Sequence, residues 1–223
     1  MAHDEQREQV IWACNELARL GLTAGTAGNV SIRVPGTRLI AASPSSVRYD
    51  LMRLDDVVIV DLDSGDAVEG TRNPTTELLM HSAVHKARGD DVGAVIHAHC
   101  LHTTALSLLG RGIPAVMDEQ VAIIGGDIAL CPHTLPGSQQ LADRVVEHLG
   151  DRRAVILSNH GMLGCGRDVW QAVTVCHMTE RLAQIMLSVL PHGEPSTIPV
   201  ETQQLERMYY EMSAKPRRPV ASP

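Results

Sequence analysis

Phenylalanine is absent from this chain of 223 residues, and lysine occurs only as Lys86 and Lys215. Lys86 stands beside Arg88 near the end of an expected helix and Lys215 in a basic terminal segment, so neither has the apolar setting that an iminium-forming amine needs. The five cysteines, Cys14, Cys100, Cys131, Cys165 and Cys176, contain no C-x-x-C pair, which argues against a disulfide framework and against a thiolate zinc site. They read as reduced core thiols. No apolar run approaches the roughly 18 residues of a membrane span, and the opening MAHDEQREQ is too charged for a signal peptide. Positive charge is scarce as well: the net charge is -7, and the cluster Lys215, Arg217 and Arg218 is confined to the end. Nothing electrostatic favours nucleic acid. A cytoplasmic chain with neither a nucleic-acid nor a membrane partner is expected.

Against these shortages, histidine occurs eleven times, and an ordinary 44% of residues are hydrophobic with 20% charged. The length suits one domain, expected over residues 1–213, with a disordered tail over 214–223. Val10, Ile11, Cys14, Leu17, Ala18 and Leu20 recur with helical period up to a glycine stop at Gly21. Val30, Ile32 and Val34 alternate as a half-buried strand, and 38–42 reads as its hairpin neighbour. Strand character returns at 56–61 before the turn DSGD, and Asn73-Pro74 reads as cap and first position of a helix through Thr76 to Arg88, with Glu77 in its first turn. An apolar strand over 93–99 leads into a helix over 101–109. The stretch 114–130 is weakly patterned, followed by a helix over 139–149, a buried strand over 154–157, the turn SNHG and a return through Gly164 and Gly166. Asp168 caps a long helix to Leu190. Pro191, Pro195 and Pro199 mark a linker before a last helix over 201–212. Short turns between adjacent strands exclude a purely parallel sheet and point to a mixed one covered by helices on both faces.

His97 and His99 in VIHAHC lie two residues apart on the expected strand, so both rings face one side and can reach one ion. Spacing alone leaves open that they are polar residues facing water at a strand end. His160, in a turn after an apolar strand, and Glu77, at a helix start, are further nitrogen and oxygen candidates for a zinc-like ion. Taken singly, the histidine is a turn residue and the glutamate a partner of the helix dipole. Glu77 with His81 forms a rival pair, but TELLMH lacks the H-E-x-x-H arrangement.

Six ordered blocks, GTAGNVSIRV, SPSSVRYD, NPTTELLMH, AVIHAHC, RGIPAV and LSNHGML, span roughly residues 5 to 190. Together they resemble the class II aldolase and adducin-head family. The resemblance implies a three-layer α/β/α fold with a mixed, mostly antiparallel central sheet. It implies zinc, or another divalent metal, held by Glu77, His97, His99 and His160, with Glu77 also serving as general acid/base. Phosphate-binding turns are implied at Gly28 with Asn29, at Ser45 with Ser46 and at Thr75 with Thr76, where backbone N–H groups and small hydroxyls suit an anion. Ser46 stands where the family usually has glycine, so a different backbone shape is expected there.

The implied activity is metal-dependent cleavage of a phosphorylated ketose, of the L-fuculose 1-phosphate kind, to dihydroxyacetone phosphate and an aldehyde. Sugar-phosphate 4-epimerases, dehydratases and decarboxylases of the superfamily are alternatives, and the epimerases carry aspartate at the place of Glu77. A non-catalytic interaction module, as in the adducin head, has no reason to retain all four ligands. The resemblance also implies a homotetramer with active sites between subunits. The aldolases it points to place a tyrosine shortly after I-P-A, where this chain has Asp118 and Glu119. Glu119 is therefore a candidate accessory acid/base, and Tyr49, Tyr209 and Tyr210 are candidates for the missing phenol.

Overall fold

A computed structural model describes residues 3 to 214 of the chain. Helix α1 (Asp4–Arg19) buries Arg7, Val10, Ala13, Cys14 and Leu17, one stripe of helical spacing, and Gly21 follows it in the left-handed region. Strands β1 (Asn29–Arg33) and β2 (Leu39–Ala42) form the expected hairpin, and β3 (Val58–Asp61) pairs antiparallel with β2. A three-residue β4 (Ala67–Glu69) closes this edge. Then come α2 (Leu78–Arg88), β5 (Ala94–Ala98), α3 (Leu101–Leu108), α4 (Asp118–Ile124), β6 (Leu130–Cys131), α5 (Gln139–Leu149), β7 (Ala154–Leu157), β8 (Gly161–Gly166), α6 (Val169–Val189) and α7 (Val200–Ala214). The expected disordered tail lies outside the described residues, apart from Ala214, which closes α7.

The eight strands run β4-β3-β2-β1-β5-β8-β7-β6, and every neighbouring pair is antiparallel except β6 with β7. The sheet is thus mixed and mostly antiparallel. On one face Val30, Ile32, Ala94 and Ile96 pack with Val10, Leu17, Leu106, Cys176 and Leu182 of α1, α3 and α6. On the other, Val95, Val155, Leu163 and Cys165 pack with Val84 of α2 and Leu141 and Val145 of α5. Period-two alternation sends odd-numbered residues of β1 and β5 to the α2 side. That parity puts Asn29, Ser31 and His97 in the layer between sheet and α2. No helix among the described residues is long and apolar enough to cross a membrane.

The expected start of α2 needs correction. Asn73 and Pro74 do not cap α2: Pro74 bridges Pro44, Ser45 N–H donates to Asn73 O, and Thr75 N–H donates to Ser43 O. This pairing keeps 73–75 extended against the segment that follows β2. The helix begins at Leu78, and Glu77 is its N-cap residue with φ -105 and ψ 21 instead of a first-turn residue. The weakly patterned stretch 114–130 holds α4 and ends on β6, with Ile113 bridging Ile128. Ser46 has φ 60, the left-handed conformation that glycine reaches freely, at a cost of about 1–2 kcal/mol.

Candidate functional site

Three adjacent chain turns bring the chemistry together at the end of β5. His97 is the penultimate residue of β5, and His99 follows directly after it. Register pairs His97 with Asn29 of β1 and with Leu163 of β8, so the neighbouring strands carry their own ends to the same level. β7 and β8 are joined through Ser158, Asn159 and His160, with Asn159 left-handed at φ 58. The glycine after His160 is required by contact: a Cβ on Gly161 would lie 2.4 Å from Ala98 O. Gly28 has φ 85, and a Cβ there would meet His97 O at 2.7 Å. Both glycines let backbone close tightly around the histidine strand.

The four candidate ligands converge. One ligand atom from each of Glu77, His97, His99 and His160 lies within 4.8 Å of all the others. His97 Nδ1 is 2.8 Å from Met162 O, and because a carbonyl only accepts, this nitrogen donates and Nε2 carries the lone pair. That Nε2 faces His99 Nε2 at 2.8 Å and Glu77 Oε2 at 3.2 Å. Glu77 Oε1 is buried with no hydrogen-bond partner among the described residues, standing 3.4 Å from His160 Nε2. A buried carboxylate oxygen without a partner, facing crowded imidazole nitrogens, is unfavourable unless a cation sits among them. Three nitrogens and a carboxylate suit a borderline divalent ion such as zinc, so the residues fit the metal that the fold implies.

Protonation states agree with that fit. Burial alone would raise the Glu77 carboxyl, but its His97 and His160 neighbours and the Asn29 amide, which donates to Oε2, bring it down to about 2. Burial, aided by the charge of His97, pulls His160 down to about 4, and burial and the same neighbour lower His99. An ionised carboxylate and neutral rings are the ligand forms that bind metal.

The turns expected to bind phosphate are neighbours. Thr75 and Ser45 sit on the cross-linked segments that end in Glu77 and β2, Thr75 Oγ1 accepts from Glu77 N–H, and Asn29 Nδ2 donates to Glu77 Oε2 at 3.1 Å. Gly28 precedes Asn29, and Ser46 and Thr76 are exposed at the rim. Tyr49 is not a free phenol, because its hydroxyl bonds Ala27 O and Gly28 O and pins the glycine turn. Burial pushes that phenol well above its ordinary range. Tyr209 and Tyr210 pack on each other in α7. Asp118 and Glu119 occupy the exposed first turn of α4 and do not join the four-residue cluster; Asp118 lies near Glu206 of α7, whose carboxyl is raised by burial and by the like charge of Asp118.

Two residues have roles at the site that sequence did not give them. His133, exposed in the loop before α5, lies close enough to His160 to depress its pKa. His81, the rival ligand, is absent from the cluster and bonds Asn29 Oδ1 instead. Only three-dimensional contact reveals either role: His133 belongs to no spacing motif, and the spacing of His81 from Glu77 pointed to metal binding instead.

Known proteins resemble this chain in sequence and in fold. The model of the Class II Aldolase and Adducin N-terminal domain matches residues 8–187. The chain belongs to the class II aldolase and adducin family. It is 35% identical to 5-deoxy-D-ribulose 1-phosphate aldolase of Bacillus thuringiensis over 204 residues, covering 92% of this chain and 94% of that protein. It is also 35% identical to L-fuculose phosphate aldolase of Escherichia coli K12 over 195 residues, covering 87% and 88% of the two chains. A solved L-fuculose 1-phosphate aldolase superposes with a TM-score of 0.89 at 30% identity, covering 95% of this chain and 98% of that one. Within the family the chain falls in the class of metal-dependent aldehyde-lyases.

Proposed function

We propose that the protein is a zinc-dependent aldolase cleaving a ketose 1-phosphate to dihydroxyacetone phosphate and an aldehyde. The observation that carries this reading is the convergence of Glu77, His97, His99 and His160 around the unpartnered Glu77 Oε1. Relatives acting on L-fuculose phosphate and 5-deoxy-D-ribulose 1-phosphate favour a phosphorylated ketose as substrate. Those four residues hold the ion. When bound, it supplies an electrophile that stabilises the negative charge developing on the ketose oxygens as the carbon–carbon bond breaks.

The remaining work falls to the chain itself. Glu77, ionised near neutral pH, takes the proton from the ketone-side carbon in condensation and returns it in cleavage, alternating between metal ligand and acid/base. Gly28 and Asn29, Ser45 and Ser46, and Thr75 and Thr76 bind the phosphate through amides and hydroxyls, which orients the ketose without a lysine. Glu119 is kept as an accessory acid/base contributed near the aldehyde half. The assembly is a homotetramer with active sites between subunits, for which Leu101, Leu108 and Leu109, exposed together on and just after α3, offer apolar contact. The location proposed is the cytoplasm.

Purified protein given L-fuculose 1-phosphate or 5-deoxy-D-ribulose 1-phosphate is expected to release dihydroxyacetone phosphate. A C4 epimer or a dehydrated ketose appearing in its place would overturn the aldolase reading.

A further inference from the structure

Behind the cluster runs a buried polar chain whose side-chain hydrogen bonds the proposed chemistry does not use. Asn29, Ser31, His81 and His85 are all at most 5% exposed, between β1 and α2. Glu77 Oε2 accepts from Asn29 Nδ2 at 3.1 Å, Asn29 Oδ1 meets His81 Nε2, His81 Nδ1 lies 2.8 Å from Ser31 Oγ, and Ser31 Oγ lies 2.9 Å from His85 Nε2. An ionised carboxylate only accepts, which fixes the Asn29 amide with its nitrogen toward Glu77 and its oxygen toward His81. His81 Nε2 must then donate. A neutral ring with a protonated Nε2 has a bare Nδ1, so the Ser31 hydroxyl donates to it and in turn accepts from His85 Nε2–H. The series ends at His85, whose Nδ1 has no hydrogen-bond partner among the described residues. Every donor points toward Glu77, so the dipoles reinforce one another along the series.

We infer that His81, backed by Ser31 and His85, is a positioning residue that locks the Asn29 amide and through it aligns the Glu77 carboxylate toward the proposed metal. The inference rests on the proposed function for the meaning of Glu77, while the hydrogen-bond polarity stands on geometry alone. Outer partners of metal-binding groups act in this way by fixing the orientation of the inner ones. An asparagine left without His81 can turn its amide over, presenting oxygen to a carboxylate that has no hydrogen to donate to it.

The test combines spectroscopy on the unmodified protein with two substitutions. Long-range proton–nitrogen spectra of the histidine rings are expected to show His81 with hydrogen on Nε2 and a bare Nδ1. His81→Leu is expected to lower zinc affinity and kcat by about tenfold each, with KM unchanged. His81→Gln, whose amide can still donate to Asn29 Oδ1, is expected to recover most of both. Should His81→Leu fail to fold, Ser31→Ala removes a single hydroxyl and is expected to shift the same two quantities in the same direction. A His81 ring protonated on Nδ1 overturns the inference. So do folded variants that lose only thermal stability while zinc affinity and kcat stay unchanged. If unmodified protein neither binds zinc nor releases dihydroxyacetone phosphate, the functional reading falls, and the ring-nitrogen spectra decide the polarity by themselves.

Discussion

Glu77 is the residue on which the proposed chemistry turns, because it combines a metal-facing oxygen with an ionised carboxyl in a buried setting. Glu77→Gln keeps the shape and removes the charge. It is expected to lower kcat by about 10²–10⁴-fold, read from dihydroxyacetone phosphate release under saturating metal. The two buried rings behind it make a separate claim about pH. Burial brings both His81 and His85 from 6.5 down to about 3, with the charge of His97 adding at His81 and that of Arg33 at His85. Their folded-state pKa values thus lie below those of the unfolded chain, so between the two limits the unfolded state binds more protons. Stability from these rings is fully present above about pH 6.5 and is lost as pH falls from there toward 3, by up to about 1.4 kcal/mol per pH unit for each ring. Denaturant midpoints measured from pH 7 to pH 4 should fall, and His85→Gln should flatten that slope. At this scale the metal cluster was legible because strand parity and ordered motifs survive in sequence. The polarity of the histidine chain was not, since which nitrogen carries a proton depends on partners 48 to 54 residues away.

Among the elements, β8 shows how closely the fold constrains the site. Gly161 starts that strand against the carbonyl of Ala98, one residue before His99. Gly161→Ala is expected to destabilise by about 1–3 kcal/mol, since its Cβ meets rigid backbone, and to weaken metal binding by displacing the strand end; thermal melts and zinc titration check the two effects. The long elements were readable from periodicity: α1 with its glycine stop, the β1–β2 hairpin, β5, α5 and the capped α6. Those that escaped were short. β4 and β6 have three and two residues and α4 has seven, too few for a period to emerge above composition. The start of α2 was misplaced for a different reason. Asn73-Pro74 carries a helix-start signal locally, but pairing with the Ser43–Ser45 segment overrides it and moves the boundary to Glu77.

For the molecule as a whole, three layers followed from alternating strands and helices, and the sheet order from pairing that sequence does not encode locally. Assembly is the level at which a single chain says least. If the proposed tetramer is right, light scattering should report four chains of 24.1 kDa each. Leu108→Asp, which puts charge among the exposed leucines at α3, should shift that mass downward. The central claim is that one divalent ion, held by Glu77, His97, His99 and His160, makes the chain an aldolase. Its most direct test is to strip the protein with a chelator and titrate zinc back while recording bound metal and dihydroxyacetone phosphate release together. Release rising in step with bound zinc, and saturating at one ion per chain, is the expected result. Full release from metal-free protein, or one tightly bound zinc per chain with no release from either ketose 1-phosphate, would contradict it.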